Sequence, residues 1–240
     1  GYAAALQQFT RIAKQRSTLL KQLQEHSGHP VDAVLSGLEI WTGQFIESGL
    51  QITRMRRRVI DRLAGPFADI YRDLAGADEQ AELAYAPSFD EVMVWDDPHV
   101  HISEHFQRIY SGEVARGMNL IGPQRDDLTL KLAGMPAREF ASNGETWTMA
   151  LALKMALYQV LEDRNPIVIL DDVFAQLDSR RRVQILDFAR RPEQTLITVA
   201  APGDAPQSQD AHYIDVQSLL VGSSTDQPST AVQTVVEDPT

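Results

Sequence analysis

A continuous apolar run, Ile167-Val168-Ile169-Leu170, ends in two acids, Asp171-Asp172, with helical periodicity on either side. Such a run fits a strand covered on both faces, as in a parallel sheet. Before it, Thr146 to Leu161 reads as a helix with Ala150, Leu153, Leu157 and Val160 or Leu161 on one face, closed by Asn165-Pro166. After it, Asp178 or Ser179 can cap a helix through Ala189, and Thr195 to Val199 reads as a second buried strand. Strand, helix, strand makes a βαβ unit, expected to cross over right-handed. This part of the chain is therefore α/β. A hydrophobic content of 43% supports a sizeable core and excludes a wholly disordered chain.

The first third has a different rhythm. Leu6, Phe9, Ile12, Ala13, Leu19, Leu20 and Leu23 recur at spacings of three and four and describe one helix face. After a break at His26 to Pro30, Leu38, Phe45, Ile52 and Val59 repeat every seven residues, with Trp41 and Met55 on the adjoining seam. This is a coiled-coil-like stripe expected to end near Gly65-Pro66, with Phe67 to Ala75 helical beyond it. Two helices joined by a short turn predict an antiparallel arm. Leu83 to Ser88 fits a short strand and Ser103 to Met118 a helix. Leu128, Leu130 and Leu132 alternate before a turn at Gly134. The expected organisation is an arm over 1–80, an α/β head over 81–218 and a disordered Ser/Thr/Asp/Gln/Pro-rich tail over 219–240.

Charge is unevenly spread in a chain of net charge −11. Residues 1–62 hold nine Lys/Arg against five Asp/Glu, a net of +4; residues 63–113 hold two against eleven, a net of −9. The acidic balance argues against a histone-like binder, while the basic first quarter can still meet phosphate. No apolar run approaches the roughly 18 residues of a membrane span, so no membrane partner is expected. There is no cysteine, hence no disulfide and no thiolate metal site, which fits a reducing, cytoplasmic setting. The chain opens on Gly1 and enters a helix at once, as expected of a piece of a longer chain.

Two places carry chemistry. The strand ending in Asp171-Asp172 delivers two carboxylates to the carboxyl edge of a parallel sheet, where ligands of open α/β sheets bind. There one acid can hold hydrated Mg2+ beside a nucleotide, and the next can orient water; the alternative is a strand end and turn. Ser142-Asn143-Gly144-Glu145 precedes a helix, and small polar residues at a helix N-terminus suit phosphate; the alternative is a capping box, Ser142 with Glu145. Ala175-Gln176-Leu177-Asp178 follows the acid pair, ahead of Arg180 to Arg182. In this order the three match the second half of an ABC-type ATPase: signature, Walker B, D-loop.

The chain resembles the RecF family of bacterial DNA replication and repair proteins over roughly residues 2–218. The residues that carry the resemblance are Gly122-Pro123-Gln124-Arg125-Asp126-Asp127, Phe140-Ala141-Ser142-Asn143-Gly144-Glu145 and Leu170 through Asp178, with Lys14-Gln15-Arg16, Leu19-Leu20 and Trp41. The resemblance implies the C-terminal lobe of an SMC-like ABC ATPase head bearing an N-terminal antiparallel helical arm. It implies a protein that binds gapped DNA or a single-strand/double-strand junction, forms an ATP-dependent homodimer, and works with other recombination mediator proteins in recombinase loading, replication restart and SOS induction. ATP and Mg2+ are the implied cofactors. Asp172 would be the catalytic carboxylate, and Asp171 would hold Mg2+ through water. Ser142, Asn143, Gly144 and Glu145 would form the signature facing ATP on the other protomer, and Asp178 would be the D-loop acid.

Departures accompany the match. Asn143 and Glu145 differ from the usual ABC signature, Gln124 replaces a common His, and Ala200-Ala201 stand where ABC proteins often carry a switch His, which predicts slow turnover. No Gly-x-x-x-x-Gly-Lys-Ser/Thr occurs in the 240 residues, so the chain by itself is expected to be inactive. Two other readings stand beside this one: a non-enzymatic interaction module derived from an SMC-like ATPase, or another SMC-like ATPase, against which the short arm argues. Lys14, Arg16, Arg54, Arg56, Arg57 and Arg58 form a candidate DNA strip, the bland alternative being a solvated helix flank. With no base-reading motif, DNA contact is expected through the backbone.

Overall fold

The computed structural model describes residues 1–25, 31–76, 80–161, 165–174, 179–205 and 211–221. Its first two helices, α1 (Tyr2–Gln24) and α2 (Val31–Ala75), form the expected antiparallel hairpin. Tyr2 meets Arg56 near one end, Arg16 meets Thr42 midway, and Leu19 lies against Gly37 near the turn.

The stripe on α2 departs from a heptad. Leu38, Phe45 and Ile52 are buried, but Val59 is exposed, and Leu63, Phe67, Tyr71 and Leu74 take over the inward face. A straight helix drifts by about 20° per heptad, so by Val59 the seven-residue series has rotated into solvent. Nor does α2 stop at Gly65-Pro66; Pro66 lies inside it. An internal proline costs about 3 kcal/mol. Burial of Phe67, Tyr71 and Leu74, at about 1.5–3 kcal/mol for a full-sized apolar side chain, offsets it.

Two cores form along this one helix. The first joins α1 and the arm half of α2 to α3 (His99–Arg116), which ends at Gly117 in the left-handed region. Phe45 is its centre, with ring centroids 5.0 Å from Phe9, 5.8 Å from Phe106 and 6.3 Å from Phe89. The second joins the far half of α2 to strands β1 (Ala81–Ala86) and β2 (Asp127–Leu132) and helix α5 (Asn143–Leu161). The boundary expected at residue 80 is thus no break in packing.

β1 and β2 pair antiparallel, Ala81 opposite Leu132, Leu83 opposite Leu130 and Tyr85 opposite Leu128. This sets the alternating apolar positions face to face, although Leu128 at the strand's start stays exposed. Ala133-Gly134, both at positive φ, turn the chain into the short β3 (Met135–Pro136), followed by α4 (Ala137–Phe140). The inward face of α5 centres on Thr148, Met149, Ala152, Met155 and Ala156; of the expected positions Leu153 and Val160 pack half-buried against the core, while Ala150 and Leu157 are exposed.

β4 (Val168–Asp171) and β5 (Thr195–Thr198) pair in parallel around α6 (Ser179–Ala189), as the βαβ reading requires. They are not fully buried strands. Leu170 packs inward on Phe174 and Ile185, while Ile167, Ile169 and Leu196 are 59%, 65% and 48% exposed. Among the described residues nothing covers that face. A last helix, α7, spans Val216–Val221, so the first residues of the expected disordered tail are helical; residues 222–240 lie outside the described residues. No helix in the described structure is long and apolar enough to cross a membrane.

Candidate functional site

The acid pair lies where the sequence places it, at the carboxyl end of β4, with both acids exposed. In the parallel register Asp171 stands opposite Thr198. The Thr198 hydroxyl donates to the Asp171 carboxylate. The backbone N–H of Asp172 donates to the Thr198 carbonyl at 3.1 Å and lies 3.2 Å from its hydroxyl. Asp172 itself sits at φ +49°, a left-handed conformation that short polar side chains tolerate. One carboxylate is therefore anchored and the next is turned off the strand line. Two exposed carboxylates so placed can hold a hydrated divalent ion and orient a water. Thr198 was missed from sequence; parallel pairing of the two apolar runs was the signal.

The helix start shows the capping box in full. Glu145 Oε2 accepts from the Ser142 N–H at 2.7 Å, and the Ser142 hydroxyl accepts from the Glu145 N–H at 3.3 Å. The Ser142 bonds hold the Glu145 carboxyl below its ordinary value. Yet Ser142, Asn143 and Gly144 remain exposed, and a Cβ built on Gly144 would meet no atom within 4 Å. The cap stabilises the helix and leaves its first amides open, so the two readings are compatible. One turn on, Trp147 packs against the cluster of Leu170, Phe174 and Ile185 under β4. Among the described residues no hydrogen bond joins Ser142–Glu145 to Asp171 or Asp172; Trp147, packed on the cluster beneath Leu170, links the two segments. Asp178 lies outside the described residues.

Asp126, in the stretch Gly122 to Asp127, is a structural hub. Its carboxylate accepts from Arg56 Nη1 at 3.0 Å, from the Ser88 N–H at 2.8 Å and from the Tyr85 hydroxyl. Burial, then the Asp126 bond, push the Tyr85 hydroxyl well above its ordinary value.

The basic strip is smaller than expected. Arg16 is 2% exposed and Glu113 0%. The Arg16 guanidinium pairs twice with Glu113, at 2.6 and 3.0 Å, and also reaches Asn119 at 2.6 Å and Thr42 at 2.9 Å. It lies 4.6 Å from the Phe106 ring centroid. Arg16 is therefore a core residue and cannot reach DNA. Arg56 is held by Asp126, the Pro123 carbonyl and Tyr2; Arg57 by the Val92 carbonyl and Asp61. Lys14, Arg54 and Arg58 are exposed, and Arg62, one turn past Arg58, extends the ridge; the four-residue spacing was the signal.

No protein-family model matches the chain. Among curated proteins it is 70% identical over 229 residues to the DNA replication and repair protein RecF of Bifidobacterium longum subsp. infantis, covering 93% of this chain and 56% of that protein. It is 66% identical over 229 residues to RecF of Bifidobacterium adolescentis, covering 92% and 57%. RecF of Rhodococcus erythropolis is 36% identical over 241 residues, covering 92% and 59%. The chain thus spans somewhat over half the length of these relatives. Among solved structures, that of the recombination mediator protein RecF-ATPrS in the RecFOR pathway superposes with a TM-score of 0.72 at 23% identity, covering 86% of this chain and 55% of that one. The RecF-ATP structure gives 0.71 at 23% identity, covering 84% and 53%. The α/β fold with its helical arm is accordingly the fold of these RecF structures. Over the residues it spans, the chain resembles the RecF DNA replication and repair proteins, at 66–70% identity to the two bifidobacterial ones.

Proposed function

We propose that this chain supplies the signature and Walker B parts of an ATP-switched, DNA-binding RecF protein. The observation that carries the reading is the pairing of an exposed Asp171-Asp172 strand end with an exposed Ser142–Gly144 helix start over one hydrophobic floor. Both fit the groups they would receive: open amides and no obstructing atom beside Gly144 for a phosphate, and anchored oxygen ligands at Asp171 for hydrated Mg2+. When bound, ATP supplies the phosphoanhydride whose hydrolysis resets the switch.

The residues divide the work. Asp171, oriented by Thr198, would hold the ion's water shell, and Asp172, turned off the strand line, would position and deprotonate the attacking water. Ser142, Asn143 and Gly144 would present amides and a hydroxyl to the γ-phosphate on a second copy, so that nucleotide favours a closed homodimer; Asp178 would sit at that interface. On DNA, the exposed ridge of Arg54 and Arg58, extended by Arg62, with Lys14 on α1, would contact backbone phosphate at a gap or junction. Recombinase loading, replication restart and SOS induction with other mediator proteins follow as the work of the whole protein in the cytoplasm.

The test is turnover in a protein that joins this chain to a phosphate-loop lobe. Asp172→Asn should cut DNA-stimulated ATP hydrolysis by about 100-fold or more, the scale of one positioned acid-base group, while sparing ATP binding. Unchanged turnover would remove the catalytic assignment.

A further inference from the structure

The segment Asp90–Met93, a single 3-10 turn, and helix α3 bring three side chains of ligating type together over the arm core, a different cluster from the one beneath the acid pair of β4. One ligand atom from each of Asp90, Glu91 and His105 lies within 4.8 Å of the other two. Glu91 Oε1 and His105 Nδ1 are 2.7 Å apart. The Glu91 side chain is 11% exposed. Its other oxygen, Oε2, is shielded from water and has no hydrogen-bond partner among the described residues. A buried carboxylate oxygen without a donor is unfavourable, and a cation beside it would remove that deficit.

The ligands sit on a rigid frame. Phe89 and Val92 flank the acids and pack against Ile102 and Phe106 of α3. The Phe89 and Phe106 rings meet edge-on at 6.1 Å. Arg57 ties the Val92 carbonyl to α2 at 3.0 Å. Glu91 and His105 each neighbour a core residue in sequence, so their approach is fixed by packing and not by a mobile loop. Asp90 is exposed and free to rotate inward.

We propose that Asp90, Glu91 and His105 form a binding site for one divalent transition-metal ion, a clip between the 3-10 turn and α3. One imidazole nitrogen with two carboxylates suits a borderline first-row ion such as Zn2+; Mg2+ and Ca2+ take oxygen ligands. Zinc bonds of 2.0–2.2 Å require ligand atoms about 3.4 Å apart in a tetrahedron, so Asp90 would rotate inward while the 2.7 Å Glu91–His105 contact opens by about 0.7 Å. Water completes the shell. His101, one turn before His105, is not in the set: its ring stacks on Trp95 at 4.1 Å and its Nδ1 lies 3.7 Å from Glu104.

The experiment titrates the whole chain with Zn2+ by calorimetry, repeats it with Co2+ by visible absorption, and follows the histidine ring nitrogens by NMR. The expected result is one ion per chain at the His105 site, removed by chelator, with a coordination shift at His105 Nδ1. Glu91→Gln and His105→Ala should each weaken binding by more than the 10–100-fold typical of an outer-shell partner. His101→Ala should leave it unchanged. Should His105→Ala unfold the chain, the wild-type His105 shift decides alone. No binding at millimolar Zn2+, or binding that leaves the His105 nitrogen unmoved, overturns the proposal.

Discussion

Removing Glu113 should destabilise the arm more than any surface change, because the Arg16 charge it neutralises has no route to water. The pair is bidentate, at 2.6 and 3.0 Å, between side chains 0% and 2% exposed. Glu113 Oε1 also accepts from the Leu120 N–H at 2.9 Å. Glu113→Ala strips the guanidinium of its counter-charge and leaves that N–H without its acceptor. Breaking one side of a buried pair costs about 3–5 kcal/mol. The surviving Asn119 and Thr42 contacts, at 2.6 and 2.9 Å, place the expected loss near the middle of that range. With a urea slope of about 3 kcal/mol/M, the midpoint should fall by about 1–1.7 M. The double replacement Arg16→Met with Glu113→Leu, which leaves no charge behind, should return to within about 1 kcal/mol of the native chain. A single-variant loss under about 1 kcal/mol, or a double variant no better than the single, would refute the buried-charge argument.

Other expectations follow from the same geometry. If the Arg54–Arg58 ridge contacts phosphate, Arg54→Glu with Arg58→Glu should lower the salt slope of DNA binding by about two, one per lost contact; an unchanged slope by fluorescence anisotropy removes the ridge from the interface. Ser142→Ala should cost about 1 kcal/mol of helix stability by losing the cap. Because the folded Glu145 carboxyl titrates below its ordinary value, its contribution is present above that unfolded value and is lost as pH falls through the lower, folded one. Thermal melts of the native chain and Glu145→Gln should therefore converge under acid conditions, and a gap that persists there contradicts the assignment. Gly122 holds φ +127°, and an added Cβ would lie 2.6 Å from Phe45 Cζ. Gly122→Ala should cost about 1–3 kcal/mol through strain and overlap, visible as a lower urea midpoint.

Much of this was legible because the pattern had one period. The α1–α2 hairpin and the alternation of β2 followed from spacings of three and four and of two, and the βαβ unit from two apolar runs around a helix; the pairing of β1 with β2 needed the structure. The α5 face did not, because Met149, Ala150, Ala152, Leu153, Met155, Ala156 and Leu157 are apolar all round and give no phase. The apolar run of β4 read as doubly covered, since composition does not say whether both covers lie among the described residues. Arg16 was assigned to the surface for its charge, though it sits in register with Phe9, Ile12 and Leu20. Glu113 likewise continues Ile102 and Phe106 on α3. Two opposite charges on two apolar stripes were the available sign of a buried pair. Asp171 and Asp172 were found because the strand edge is a property of order along the chain, whereas Thr198 needed the register.

A single 45-residue rod runs from the arm core to the sheet core. At 1.5 Å per residue it is about 68 Å long. One degree of tilt about its head end sweeps the arm tip through roughly 1 Å. Small rearrangements beside Phe67 are thus geared up at Val34, and the rod's weakest rung is Pro66, where one backbone bond is missing. One helix therefore couples the arm core to the sheet core, with Pro66 the place where it bends most readily.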